Sequence, residues 1–186
     1  MSRFNAKVRC NYYPLPLREA ERIRNLLRFP VEPFSALDPC IGDGAAFAAI
    51  TGDSSARRYG IELDAYRAEQ AGPSLTKIVQ GNCLETHCAV ESFSLCFCNP
   101  PYDWALAGNA RERLEAVFLN HIFRWLIPGG VLLLVIPAER ATDSADPCFP
   151  LQTRAGISPV PSGVGSLSPG PHCRCSADPP RTRTTS

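Results

Sequence analysis

The stretch FSALDPCIGDGAAFAAIT (34–51) reads as a short strand over 34–38, a turn carrying Gly42 and Gly44, and a helix over 44–51. Glycines in such a turn let the backbone approach a ligand closely and offer it amide hydrogens. Taken alone the turn does not name a ligand, because many glycine turns only reverse the chain. What surrounds it decides how it is used.

Working outward, residues 17–28 carry Ala20, Ile23 and Leu27 at helical spacing, with Pro30 and Pro33 to stop the helix. Downstream, RRYGIEL (57–63) is a second strand followed by a helix-like run over 64–72. LTKIVQG (75–81) and SFSLCFC (92–98) are a third and a fourth strand. Residues 111–126 form a helix with Leu114, Val117, Phe118, Ile122 and Trp125 on one face. GGVLLLVIP (129–137) is a fifth strand, all apolar as a buried parallel strand should be. Strands alternating with helices predict an α/β fold, a parallel sheet with helices on both faces.

Length and charge set the frame. The chain has 186 residues, is 45% hydrophobic and 20% charged, enough for one domain with a sizeable core. Nineteen Lys and Arg against eighteen Asp and Glu leave a formal charge of +1, so any contact with a polynucleotide has to be local. The opening MSRFNAKVRC has no hydrophobic signal region, and the nine cysteines are an odd, scattered set, so a reducing cytoplasm is expected. The longest apolar run falls well short of the roughly 20 residues that cross a bilayer, and no membrane span is expected. After residue 140 the composition changes: 141–186 holds 8 of the 18 prolines with much Ser and Gly. The reading is a domain over 1–140 and a disordered tail over 141–186.

In such sheets ligands bind beyond the carboxyl ends of the strands, where the strand order reverses. Glu62, ending the second strand about 20 residues after the glycine turn, suits both hydroxyls of an adenosyl ribose; an exposed strand-end acid is the bland alternative. Asn82, in QGNCLE (80–85), is placed to read an adenine edge, and a surface turn explains it equally well. These stations describe an adenosyl crevice without separating S-adenosylmethionine from NAD. The fourth strand separates them. It runs into Asn99-Pro100-Pro101-Tyr102, where two prolines hold the backbone extended and stiff. An Asn99 oxygen and the Pro100 carbonyl, both fixed, can accept hydrogen bonds from one amino group and aim its lone pair at a methyl donor. Tyr102 can stack on a base rotated out of a duplex. An oxidoreductase would give these four residues no task. A proline-rich turn closing a buried strand, with Tyr102 as packing, is the structural alternative.

On these residues the chain resembles the Rossmann-like S-adenosylmethionine-dependent amino-methyltransferases, above all the DNA adenine-N6 enzymes, over about residues 11–138. It is also similar to uncharacterised methyltransferase domains carried by phages and plasmids. The resemblance implies that Asp38, Pro39, Gly42 and Gly44 hold the methionine part of the cofactor, with Asp38 on its amino group. It further implies that Glu62 holds the ribose and that Asn82 stands where an aspartate usually meets the adenine amine. NYYPLP (11–16) resembles the box that lies over the cofactor, with Tyr13 and Pro14 matching and Leu15 in place of a threonine. Catalysis would fall to Asn99, Pro100, Pro101 and Tyr102, and DNA, with a possible separate specificity partner, would be the substrate. Related enzymes that methylate protein glutamine or RNA adenine carry the same four residues, so those substrates stay open, as does a non-catalytic cofactor-binding remnant. The family pattern stops near Ile136, which implies a sheet lacking its usual carboxyl-terminal strands, and the tail resembles a shifted reading frame. That truncation would leave an exposed edge and marginal stability. Cys83, Cys88, Cys96 and Cys98 with His87 match no common zinc spacing, and no metal is expected. Cys173 and Cys175 fall in the tail, and His121 should pack on its helix.

Overall fold

A computed structural model describes residues 13–102, 104–107, 110–136, 165–166 and 175–177. Helix α1 (Leu17–Leu26) leads into strand β1 (Phe34–Asp38), helix α2 (Ala45–Thr51), strand β2 (Ala56–Glu62), helix α3 (Ala65–Ala71) and strand β3 (Lys77–Gln80). Strand β4 (Phe93–Cys98), helix α4 (Leu114–Ile122) and strand β5 (Leu126–Leu134) complete the series. The five strands form one parallel sheet in the order β3-β2-β1-β4-β5. The chain works outward from β1 to β3 and then crosses to β4, so the order reverses between β1 and β4. The crevice at their carboxyl ends is the place that such a topology reserves for ligands.

Every residue of β1 and β4 is buried, which requires cover on both faces of the sheet. Alternation divides them between two apolar layers. Phe34, Ala36, Leu95 and Phe97 pack with Ala20, Phe47 and Ile50 beneath α1 and α2. Leu37, Cys96 and Cys98 pack with Tyr59, Ile122 and Trp125 beneath α4. Phe93 joins this second layer although strict alternation from Leu95 assigns it to the first. A register shift between Phe93 and Leu95 turns it over, and its ring meets Tyr59 edge-on at 5.6 Å.

The expected elements are all present, with displaced ends. Helix α1 stops at Leu26, because Leu27 turns extended and Leu27–Arg28 forms a two-residue strand. Strand β3 is shorter than 75–81, and β5 begins three residues earlier than 129, pairing with β4 from Leu126 onward. Helix α4 begins at Leu114 rather than 111. Ala110–Arg113 instead pairs antiparallel with Trp104–Ala107, a hairpin that helical periodicity hid. Most of the expected tail, 141–186, lies outside the described residues, as does Cys173. Within it Gly165–Ser166 runs parallel to Leu27–Arg28, and Cys175–Ala177 runs antiparallel to Thr86–Cys88. No helix among the described residues is long and apolar enough to cross a membrane.

Candidate active site

Asp38 is the last residue of β1 and is 2% exposed. The Cys40 amide donates to its Oδ1 at 2.9 Å, closing the turn back onto the strand end. Burial pushes the Asp38 carboxyl up to about 8; the Cys40 amide pulls against that, and the neighbouring Glu62 charge adds to it. The turn continues through Gly42 (φ +59°) and Gly44 (φ +81°), both in the left-handed region that glycine tolerates, and Gly44 caps α2. A Cβ on Gly44 would also stand 3.2 Å from Ala71 Cβ and from Ser74 Oγ, so this turn is seated tightly against α3 and its exit.

Glu62 ends β2, 5% exposed, and organises the turn from behind. Its Oε2 accepts from the Gly42 amide at 2.9 Å. Its Oε1 accepts from the Asp64 amide at 2.8 Å and from Arg67, at 3.1 Å from Nε and 2.6 Å from Nη2. Arg67 carries no motif of its own in the sequence. Its signal was its place in the first turn of α3, where the Asp64 carboxylate also accepts the Arg67 amide at 3.0 Å. At the end of β3 the Gly81 amide donates to the Glu62 carbonyl at 2.8 Å, which brings Asn82 to the same rim. The Asn82 side chain is turned to local work there. Its Oδ1 accepts the Leu84 amide at 3.1 Å and its Nδ2 donates to Glu85 Oε1 at 3.0 Å, capping the short turn Cys83–Glu85.

Asn99 follows β4 directly. Its Nδ2 donates to the Tyr13 carbonyl at 2.7 Å, and its Oδ1 accepts from the Tyr102 hydroxyl at 2.6 Å. The same hydroxyl lies 3.2 Å from the Val135 carbonyl, and the Tyr13 and Tyr102 rings stack with centroids 6.0 Å apart. Pro100 is buried and Pro101 half-buried beneath this arrangement.

Asp38, Asn99 and Pro14 meet in one cavity of about 410 Å3 between the ends of β1 and β4. Leu15, Ile41 and Phe97 supply apolar wall, and residues 14–17 form one side. Among the described residues its lining includes two carboxylates, Asp38 and Asp43, and no lysine or arginine. The Cys40 thiol also lines it; burial and a hydrogen bond with Cys98 push that thiol up, so it remains protonated. Gly42, Gly44, Glu62 and Asn82 stand behind or beside this cavity rather than in its lining. A larger depression of about 560 Å3, bordered by Arg24, Arg28, Phe29, Val31 and Asp53, lies at the amino-terminal side of the strands, away from these residues. His121 packs on Trp125 with its Nε2 3.2 Å from the Thr86 carbonyl, and burial lowers its pKa. Among the described residues no group of three or more His, Cys, Asp or Glu is arranged to hold a metal ion.

A family model described as an uncharacterised methyltransferase family (DUF6094) matches residues 1–152. A structure described as a class I S-adenosylmethionine-dependent methyltransferase from Listeria monocytogenes superposes with a TM-score of 0.60 at 16% identity, over 72% of this chain and 49% of the other. An S-adenosylmethionine-dependent methyltransferase from Thiobacillus denitrificans, solved with S-adenosyl-L-homocysteine, superposes with a TM-score of 0.51 at 18% identity, over 72% and 55%. The geranyl diphosphate C-methyltransferase of Streptomyces coelicolor A3(2) gives 0.50 at 15% identity, over 63% and 44%. At these identities the likeness is one of fold, and the chain spans about half the length of the structures it matches. A comparison with curated proteins found no match.

Proposed function

The chain belongs to an uncharacterised methyltransferase family, and from that premise we propose that it transfers a methyl group from S-adenosylmethionine to the exocyclic N6 amine of adenine in DNA. The observation that carries this reading is the meeting of Asp38 and Asn99 in one cavity across the β1/β4 switch point. The cavity suits a ligand that carries an ammonium and a sulfonium: among the described residues two carboxylates line it without a cationic side chain, and its walls are otherwise largely apolar. When bound there, the cofactor supplies an electrophilic methyl carbon whose bond to sulfur breaks as the bond to nitrogen forms.

The residues divide the remaining work. Asp38 binds the cofactor's amino group; Glu62, whose Oε2 receives one donor from the chain, has acceptor capacity for a ribose hydroxyl. The turn that Asn82 caps forms the adenine end, and Tyr13 with Pro14 covers the cavity. Asn99 Oδ1 and the Pro100 carbonyl accept the two hydrogens of the substrate amine, which draws its lone pair out of conjugation and orients it toward the methyl group. No general base with a tuned pKa is needed, since the methylated nitrogen loses its proton to water. The aromatic pair Tyr13 and Tyr102 beside Asn99 supports a planar heteroaromatic substrate over a glutamine amide.

The test supplies methyl-labelled S-adenosylmethionine to the purified chain with unmethylated duplex DNA, RNA or a glutamine-containing peptide. Label recovered as N6-methyladenine in DNA, lost in Asn99→Ala while cofactor binding persists, is the expected result. Label in RNA or peptide would reassign the substrate, and cofactor binding with no transfer to any of them would make this a binding domain.

A further inference from the structure

The amide of Asn99 is an ambiguous group until something orients it. Rotated by 180° about its last torsion it has the same shape, but it would present NH2 rather than oxygen to an incoming amine, and two donors would face each other. Two neighbours resolve the ambiguity. The Tyr13 carbonyl, 2.7 Å from Nδ2, can only accept and therefore takes the NH2 side. The Tyr102 hydroxyl, 2.6 Å from Oδ1, must then donate. The Val135 carbonyl, 3.2 Å away, is a second acceptor for that one proton, and the shorter distance assigns the proton to Oδ1; Val135 is tied to the end of β4 by its amide, which donates to the Cys98 carbonyl at 2.9 Å.

We propose that the Tyr102 hydroxyl is a positioning group, distinct from the Tyr102 ring, which together with the Tyr13 carbonyl fixes the Asn99 amide with its oxygen toward the substrate amine. The inference rests on the function proposed above. Its consequence is that Tyr13, directly before the cavity-lining residues 14–17, and the residue that binds the substrate amine form one hydrogen-bonded unit. A carboxylate at position 99 would keep an acceptor for the amine but would set an anion against the Tyr13 carbonyl, so it should break the unit.

Two variants test this. Tyr102→Phe keeps the ring and removes the donor; kcat on duplex DNA should fall roughly tenfold, the worth of one positioning hydrogen bond, with KM and the cofactor Kd unchanged. The Asn99 side-chain NH2 pair, followed by heteronuclear NMR, should shift and exchange faster with water, while the melting temperature stays near that of the parent. Asn99→Asp should lose transfer and loosen residues 13–17 in hydrogen exchange. Full kcat in Tyr102→Phe, or an unmoved NH2 pair, overturns the proposal. Should no substrate be methylated by the parent, the functional reading fails, while the NH2 signals still decide whether the hydroxyl orients the amide.

Discussion

Asp38 and Glu62 are buried acids at the ends of neighbouring strands, and their partners give them different work. Glu62 receives two backbone amides and the Nε and Nη2 of Arg67, so it is a structural hub as well as a ligand candidate. Glu62→Gln would leave Arg67, whose side chain is 13% exposed, facing a neutral amide. A loss of about 3–5 kcal/mol is expected, the magnitude for a buried charge stripped of its partner, and denaturant unfolding would measure it. Asp38 accepts from the Cys40 amide and is 2% exposed at the end of its strand. Its folded pKa of about 8 exceeds the ordinary 3.8, so the folded state holds the proton more tightly than the unfolded state. Its contribution to stability is therefore complete below the ordinary value and is lost as pH rises through about 8. Melting temperatures should fall over that window, and Asp38→Asn should flatten the fall. On the proposed role of Asp38 at the cofactor's amino group, the cation binds the ionised form, so affinity for S-adenosylmethionine should rise by up to about tenfold per pH unit approaching pH 8 from below, with proton release seen by calorimetry in buffers of different ionisation heat.

At the scale of elements, the glycine turn is positioned by its neighbours as much as by its own residues. Gly60, in register with Asp38 across β1 and β2, leaves room for Ile41 to fold over the strand end. A Cβ there would stand 2.8 Å from Ile41 Cδ1 and 2.9 Å from Leu75 Cδ1. Because those atoms are side-chain tips, Gly60→Ala should cost about 1–3 kcal/mol rather than abolish folding. It should also weaken cofactor binding, since Ile41 is part of the cavity wall. Paired unfolding and cofactor titration would separate the two effects. Asn82→Ala removes the cap of the Cys83–Glu85 turn and should cost about 0.5–2 kcal/mol. Equal cofactor affinity in that variant would confine Asn82 to capping.

At the scale of the whole molecule, one sheet with two apolar layers carries everything else. Strands β1 and β4 lie inside the order β3-β2-β1-β4-β5 and are buried throughout, so their amides open only when the sheet does. Hydrogen exchange should protect Leu37 and Leu95 most strongly, with the outer strands β3 and β5 exchanging sooner. The reverse order would mean that the two layers open independently. The site inherits this rigidity because Asp38 and Asn99 are anchored at the ends of the two most protected strands.

Sequence alone determined the βα alternation, the five strands and the places of Asp38, Gly42, Gly44, Glu62 and Asn99 at strand ends and in the glycine turn. Each of these depends on periodicity or on a residue type that a turn demands, and both are local. The displaced ends had tertiary causes: the hairpin before α4 is a pairing between residues that helical spacing cannot reveal, and the turned-over Phe93 comes from a register shift against β5. Tertiary structure also decided the company that each station keeps. Arg67 under Glu62, Gly60 beneath Ile41, the capping role of Asn82 and the hydrogen bonds from Asn99 to Tyr13 and Tyr102 depend on side chains that folding brings together. Asn99 and Tyr13 are 86 residues apart in the chain, and only folding, which lays the segment before α1 against the end of β4, sets them within a hydrogen bond of each other.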